Sequence, residues 1–215
     1  KLARPPKEGT VLEKDMEDYL FTNLLDGMCG SFMAQTSDEI CKRKGVTREE
    51  TDEFAALSHT RTNNSIQNGI WQQEIVDVEG VGYKDEDHVV PGCTKESLSE
   101  LRTAFGPESL VTAGNASGVV DGAAAVIVKS ASRAKKDGDS PLAKIISWGI
   151  VGLEPAIMAY GPVPSSRLAL EKAGLTIEDI DRWEINEAFA GQAVACIKDL
   201  QLDVSKVNVN GGAVG

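Results

Sequence analysis

The chain contains 215 residues, with 22 Lys and Arg against 33 Asp and Glu, so its formal net charge is −11. This length corresponds to one or two domains. The acidic balance argues against nucleic acid or an anionic membrane surface as the main partner, because both attract an excess of Lys and Arg. Apolar runs stay well short of the roughly 18 residues that a membrane helix needs. The opening KLARPPKEGT also lacks the apolar core of a secretion signal.

The cysteines indicate neither a metal site nor a disulfide framework. They are Cys29, Cys41, Cys93 and Cys196. None belongs to a C-x-x-C pair and no histidine cluster accompanies them, so we expect no zinc site. Two disulfides are possible in principle, but Cys41 and Cys196 fall within helical patterns, where a buried reduced thiol is the usual use. The sequence thus favours free thiols in a reducing compartment, either the cytoplasm or an organelle matrix.

Short helices are predicted in the first third of the chain. Residues 1 to about 30 read as a loop followed by a short helix or turn. Residues 36–68 predict two helices separated at Gly45, because glycine suits the left-handed conformation that ends many helices. Capping candidates for the first of these two helices are Thr36, Ser37 and Asp38.

The second of these two helices carries a clearer start signal. Thr47 and Glu50 stand three residues apart, which is the capping-box spacing. Its apolar face, Phe54 and Leu57, is thin, so we expect this helix to lie on the surface. Residues 77–108 are charged, contain glycine and predict an irregular segment.

From residue 109 onwards, strand patterns alternate with helix patterns. The continuous apolar run 123–128 is typical of a strand covered on both faces. The remaining predicted elements are a helix ending at Gly138, a strand at 142–151, a helix at 164–174, a strand at 182–186, a helix at 187–200 and a strand starting at 207. This alternation indicates a layered α/β domain.

Three stretches could carry chemistry, and each leaves a plain structural alternative open. Asn186, in NEAFA, can cap the first turn of the following helix or point into a cleft at the end of its strand. Small residues around Ser117, in NASG, permit close approach of a ligand but also suit a turn. Gly211 and Gly212, in NVNGG, allow the same two interpretations.

The only histidines, His59 and His88, have no carboxylate or cysteine at a suggestive spacing. Convergent partners are what normally distinguish a catalytic histidine from an ordinary one. We therefore expect both to be surface residues.

Taken in order, these stretches resemble the thiolase family of acetyl-CoA acetyltransferases. The segment 32–62 is similar to that family's loop domain, VTAGNASGVVDGAAAVIV to its linking loop and strand, and WEINEAFA and NVNGGAVG to its two C-terminal signatures. The resemblance implies an α/β fold: a βαβαβ half-domain with an inserted helical loop domain, incomplete at both ends. We expect residues 1–110 to form the loop domain and 111–215 to belong to the C-terminal α/β domain.

The chemistry implied by the resemblance is acyl transfer between coenzyme A thioesters, with no other cofactor. A cysteine thiolate takes the acyl group, a second cysteine moves protons, and oxyanion holes hold the developing charge. Asn186 matches the asparagine that orders a water in one oxyanion hole, beside the histidine of a G-H-P motif. That motif is absent from these residues, and none of the four cysteines matches a family cysteine. We therefore expect an internal part of a thiolase that is inactive alone.

Coenzyme A contacts are also implied by the resemblance. The pantetheine arm is expected against Ser117 and Gly118 and near Met33, with Ala188 and Phe189 contributing to the same surface. The anionic phosphates need local cations, because the net charge of −11 opposes them. The candidates in the helical insert are Arg43, Lys44 and Arg61, although a solvated helix face explains these residues equally well.

One residue departs from the family pattern, and one alternative function remains. Phe32 stands where many members have histidine, which puts the acyl-chain preference in doubt. A homodimer or homotetramer is expected. A non-catalytic, thiolase-like subunit that binds acyl-CoA beside a partner chain is the alternative, and a plain interaction domain that does not bind coenzyme A is a further one.

Overall fold

The computed structural model describes residues 19–80 and 88–215. The α-helices in these ranges are α1 Tyr19–Leu24, α2 Met33–Lys44, α3 Arg48–Gln67, α4 Lys95–Ser99, α5 Ala131–Asp137, α6 Pro162–Ala173 and α7 Ala190–Leu200. The strands are β1 Leu25–Asp26 and β2 Ser31–Phe32, and 3-10 helices cover Trp71–Gln73, Pro155–Tyr160 and Val204–Lys206. The loop predicted before α1 lies outside the described residues.

Local signals place the ends of α2 and α3. Gly45 ends α2 with φ of 64°, as its sequence position predicts. The capping box of α3 is confirmed, because Thr47 Oγ1 accepts from the Glu50 amide at 3.2 Å while Glu50 Oε2 accepts from the Thr47 amide at 2.9 Å. The predicted start of α2 is wrong, because this helix begins at Met33 and its three capping candidates lie inside it.

The core is built around α7. All its residues except Lys198 and Asp199 are buried, and α2 and α3 both pack against it. Small side chains permit this: Gly191 lies so close to α2 and α3 that a Cβ would come within 2.7 Å of Cys41 Sγ and 2.9 Å of Thr51 Cγ2. The sequence places this helix at 187–200, three residues too early at its N-terminus.

The prediction that α3 lies on the surface is wrong. Its buried residues are Thr51, Asp52, Phe54, Ala55, Ser58, His59, Thr62 and Ser65. Six of these eight are polar, so the apolar pattern could not reveal the buried face. Because buried polar groups need partners, this helix forms hydrogen bonds with several distant segments, including Ser58 with Glu187 and Asp52 with Asn115.

The predicted strands are present only in part. A parallel bridge joins Trp183 to Val207 where the sequence predicts two strands, whereas residues 142–151, also predicted as a strand, form none. The two-residue antiparallel pair of β1 and β2 lies where no strand is predicted. Residues 119–130 contain no strand, and their side chains are exposed, Ile127 by 89%. The expectation of a strand covered on both faces at 123–128 is therefore not met. A strand needs a neighbour for its amides and carbonyls, and the described residues place none beside this segment.

No helix within the described ranges combines the length and the apolar character needed to cross a membrane.

Candidate functional site

A cavity of about 460 Å³ collects the three sequence motifs singled out above. Ser117 and Gly118 come from NASG, Asn186 from NEAFA, and Gly211 and Gly212 from NVNGG. Further residues in its wall are Thr62, Trp71, His88, Val120, Glu184, Ile185, Asn208, Ala213 and Gly215. Residues nearly 100 positions apart in sequence therefore meet at one concave surface, which is the usual form of a ligand site.

Asn186 is not a helix cap. The N-cap of α7 is Phe189, three residues further on, and no side chain caps that helix end. The Asn186 side chain is exposed, lines the cavity and makes no hydrogen bond with any described residue. The amide is thus available to a ligand, as the second of the two sequence interpretations requires.

Asn208 holds the segment that carries Asn186. Its side chain accepts from the Ile185 amide at 2.8 Å and donates to the Ile185 carbonyl at 2.8 Å. These are the two hydrogen bonds that the backbone of a neighbouring strand would otherwise make with Ile185. Asn208 also donates to Glu187 Oε1 at 2.7 Å. Asn208 has φ of 44°, a left-handed conformation that asparagine tolerates better than most residues. The residues on both sides of Asn186 are consequently fixed while Asn186 itself faces the cavity.

Glu187 is a buried carboxylate that sequence reasoning missed. It is 1% exposed, and it accepts hydrogen bonds from Ser58 Oγ at 2.6 Å and from the Val214 amide at 3.2 Å, in addition to Asn208. Gly212 lies against it, because a Cβ at Gly212 would come within 2.2 Å of the Glu187 carboxyl carbon. Glu187 therefore links three segments behind the cavity wall, through Ser58, Asn208 and Val214. Burial raises the pKa of the nearby Glu184 carboxyl, and the charge of Glu187 adds to this effect.

The NASG loop packs on the segment that precedes α7. The Ser117 amide donates to the Ala188 carbonyl at 3.1 Å, and the Ala190 amide donates to the Asn115 carbonyl at 2.8 Å. Ala188 and Phe189, both predicted to contact coenzyme A, hold the loop through their backbone here, and neither is among the described residues that line the cavity. Their predicted contact with coenzyme A stays a prediction.

The expectation that both histidines lie on the surface is wrong for His59. His59 is 3% exposed and accepts from the Val90 amide at Nδ1, and burial lowers its pKa, with the charge of His88 as a second cause. His88 is half-buried and lines the cavity. Its ring lies on Gly118, since a Cβ there would come within 2.7 to 2.9 Å of three ring atoms. No sequence spacing could reveal this contact, because it depends on how residues 88–93 fold back.

Met33, Arg43 and Arg61 lie elsewhere. Met33 begins α2 and is half-buried. Arg43 pairs with Glu39 at 2.8 Å and with Glu154 at 2.9 Å, so carboxylates already balance its charge. Arg61 donates to the carbonyls of Val207 and Val204 at 2.6 and 2.9 Å. None of the three is among the described residues lining the cavity, and their binding roles stay predictions.

Three of the four cysteines are poorly suited to act as nucleophiles. Burial raises the pKa of the Cys41 thiol to about 12 and that of the Cys196 thiol to about 11, and it also raises the pKa of Cys93. A nucleophilic cysteine needs a lowered pKa, because the thiolate is the reactive form. No cysteine is among the described residues in the cavity wall. The described ranges also contain no group of three His, Cys, Asp or Glu residues able to hold a metal ion.

Comparison with known proteins identifies the family. The model of the thiolase N-terminal domain matches residues 4–132, and that of the thiolase C-terminal domain matches residues 139–215. The chain therefore belongs to the thiolase family. It is 47% identical over 195 residues to a 3-ketoacyl-CoA thiolase of Marinobacter nauticus, covering 86% of this chain and 50% of that protein. It is also 44% identical over 204 residues to an acetyl-CoA acetyltransferase of Allochromatium vinosum, covering 90% of this chain and 52% of that protein.

Solved structures confirm the fold class. The human mitochondrial 3-ketoacyl-CoA thiolase superposes with a TM-score of 0.88 at 40% identity, covering 98% of this chain and 55% of that one. The acetyl-CoA acetyltransferase of Bacillus anthracis gives a TM-score of 0.87 at 40% identity, with coverage of 92% and 52%. The chain thus spans about half the length of the relatives it matches. The boundary predicted at residue 110 stays a prediction.

Proposed function

We propose that the protein carrying these residues transfers acyl groups between coenzyme A thioesters, forming acetoacetyl-CoA or cleaving 3-ketoacyl-CoA through an acyl-cysteine. Relatives named for both reactions support this class of chemistry. The observation that carries the proposal is the Asn186 amide, which has no partner among the described residues and faces a cavity whose wall includes Ser117 and Gly118.

Asn186 serves as an electrostatic group in this proposal. Negative charge develops on the thioester oxygen during acyl transfer, and a fixed amide N–H, directly or through an ordered water, stabilises that charge. The hydrogen bonds of Asn208 hold the adjacent backbone still, so the amide needs little reorganisation. Ser117 and Gly118 form a narrow surface of small residues, on which the pantetheine arm lies.

The nucleophile in this proposal is a cysteine outside these 215 residues. Cys41 and Cys196 are buried with strongly raised pKa values, so they remain thiols near neutral pH. The described residues thus contribute an oxyanion donor and a coenzyme A surface. The 215-residue chain alone should therefore cleave no acetoacetyl-CoA above the buffer rate.

Coenzyme A thioesters are the proposed substrates, and a solved relative in complex with CoA supports them. Phe32 packs its ring against Phe105 with centroids 5.9 Å apart, and neither is among the described residues that line the cavity. Arg43, Arg61 and Met33 remain candidates for the outer part of the coenzyme. A reducing compartment and a homodimer or homotetramer complete the proposal.

The test is Asn186→Ala in the complete enzyme. The rate of acetoacetyl-CoA thiolysis should fall about a hundredfold or more, as it does on loss of other oxyanion donors, while the Michaelis constant for coenzyme A stays within a few-fold. Asn64→Ala, an exposed asparagine on α3, is the matched control and should leave the rate unchanged. An unchanged rate in Asn186→Ala would refute the assigned role. Tight acyl-CoA binding with no turnover in the complete protein would favour the non-catalytic subunit instead.

A further inference from the structure

Asp52 is a buried carboxylate in the second turn of α3. It is 0% exposed. Its Oδ2 accepts from Arg48 Nε at 2.6 Å, and its Oδ1 accepts from Asn115 Nδ2 at 2.9 Å. Arg48 also donates to the carbonyls of Leu98 and Leu101, at the end of α4. The Asp52 carboxylate therefore joins α3 to the NASG loop, and its partner Arg48 joins α3 to the end of α4.

Asn115 uses every hydrogen-bonding group of its side chain. It is 1% exposed, and Nδ2 donates to Leu110 O at 2.9 Å as well as to Asp52. Its Oδ1 accepts from the Thr112 amide at 2.7 Å. An amide held at three points inside the protein has one orientation only. Its main chain at this position is therefore fixed too.

The backbone of Asn115 leads directly to the cavity. Its carbonyl accepts from the Ala190 amide at 2.8 Å, and two residues later the Ser117 amide donates to Ala188 O at 3.1 Å. Neither Asp52 nor Asn115 is among the described residues that line the cavity. Any effect they have on a ligand must therefore act through the backbone of residues 115–118.

Close packing of the neighbouring Gly114 against Leu98 and Leu101 restricts the position of this loop. A Cβ at Gly114 would come within 2.5 Å of Leu98 Cδ2 and 2.6 Å of Leu101 Cδ1, so the loop already touches α4 closely. A buried ion pair is weak evidence for stability, because apolar residues of the same volume often stabilise a core as well or better. Its hydrogen bonds are directional, however, and they select one arrangement of the groups they join.

We propose that Asp52 and Asn115 are a positioning pair that fixes the NASG loop, residues 115–118, against the segment carrying Asn186, and so sets the spacing between Ser117 and Asn186 for a coenzyme A thioester. The inference rests on the proposed function for the identity of the ligand. The positioning itself rests only on the hydrogen bonds and burial described above.

A swapped pair provides the sharpest test. In Asp52→Asn, one of the two bonds to position 52 is lost, because an amide cannot accept at both oxygen sites. In Asn115→Asp, two carboxylates face each other. The double variant Asp52→Asn/Asn115→Asp restores a donor and an acceptor between the positions and keeps the Thr112 bond. It also turns the Arg48 ion pair into a neutral hydrogen bond and replaces the donor to Leu110 O by a carboxylate oxygen, so recovery of the loop in the folded double variant reports the restored bond between positions 52 and 115.

Two measurements follow the pair in the complete enzyme. Amide hydrogen exchange of residues 115–118 should speed up at least tenfold in each folded single variant and return toward the wild-type rate in the double variant. Coenzyme A, used as the probe in calorimetry, should bind at least tenfold more weakly to the single variants, with recovery in the double variant. Asp137→Asn is the control, since this carboxylate pairs with Arg133 at 2.6 Å on α5 and lies outside the described residues of the cavity wall. It should change neither measurement.

The outcomes separate the two ideas. Unchanged exchange at 115–118 in a folded single variant, or a double variant whose loop exchanges as fast as the singles, overturns the positioning pair. A wild-type complete enzyme that does not bind coenzyme A counts against the proposed function, while the exchange data still decide the positioning. Equal exchange changes at residues 115–118 in Asp137→Asn would show general loosening of the structure and would also overturn the proposal.

Discussion

Replacing Asn186 should leave the fold intact, although asparagine before a helix is normally read as a cap. Its side chain is exposed and bonds no described residue, and the N-cap of α7 is Phe189. Surface substitutions of this kind usually change the free energy of unfolding by less than about 0.5 kcal/mol. We therefore expect Asn186→Ala to unfold at the wild-type temperature, within about 2 °C.

Thr47→Ala shows how far the melting temperature falls when a cap is lost, because Thr47 is the N-cap of α3. It accepts from the Glu50 amide at 3.2 Å, and Glu50 bonds back to the Thr47 amide at 2.9 Å. Loss of such a cap costs about 1 kcal/mol. For a chain of this size that corresponds to a melting temperature lower by about 2 to 4 °C.

The assay is thermal unfolding followed by circular dichroism at 222 nm, with wild type, Asn186→Ala and Thr47→Ala measured at one protein concentration. The order expected is wild type equal to Asn186→Ala, with Thr47→Ala below both. A melting temperature for Asn186→Ala as low as that of Thr47→Ala would refute the reasoning, because it would mean that the Asn186 amide makes a structural bond.

Three further predictions concern buried groups. Gly212→Ala should lower the free energy of unfolding in urea by about 3 kcal/mol, because its Cβ would displace the buried Glu187 carboxylate; a loss below about 1 kcal/mol would contradict this. Cys41 and Cys196 should resist Ellman's reagent at pH 8, and stability should fall as the pH rises from about 9 toward 12, since the folded pKa values of about 12 and 11 lie above the unfolded value of 9.0; rapid labelling of the folded chain would be the opposite result. Burial lowers the pKa of His59, so as the pH falls through 6.5 the unfolded chain takes up a proton before the folded chain does, and the free energy of unfolding decreases as the pH falls. His59→Gln should flatten this decrease, and an unchanged pH dependence would count against it.

Features set by neighbours in sequence could be predicted. The capping box at Thr47 and the glycine helix ends at Gly45, Gly138 and Gly174 all appear where the sequence places them, with φ of 64°, 74° and 68° at the three glycines. Each depends on one turn of backbone and a nearby side chain. The meeting of NASG, NEAFA and NVNGG in one cavity was not derivable from spacing, but the order of the motifs and the family resemblance indicated it.

Features set by distant partners could not be predicted. The buried face of α3 is mostly polar, so a search for apolar periodicity places it on the surface. Glu187 and His88 gain their roles only when Ser58 and Gly118 come alongside. The run 123–128 has strand composition, yet pairing requires a second strand, and composition says nothing about where that strand lies.

The exposed apolar segments 119–130 and 142–151 also affect how the isolated chain behaves in solution. Val126 and Ile127 are 87% and 89% exposed, and Ile145 and Trp148 are exposed as well. Rows of β-branched side chains next to unpaired backbone groups act as templates for any available strand, including one from another molecule. We therefore expect the sedimentation coefficient and the apparent melting temperature of the isolated chain to rise with its own concentration, as for any fold completed by association.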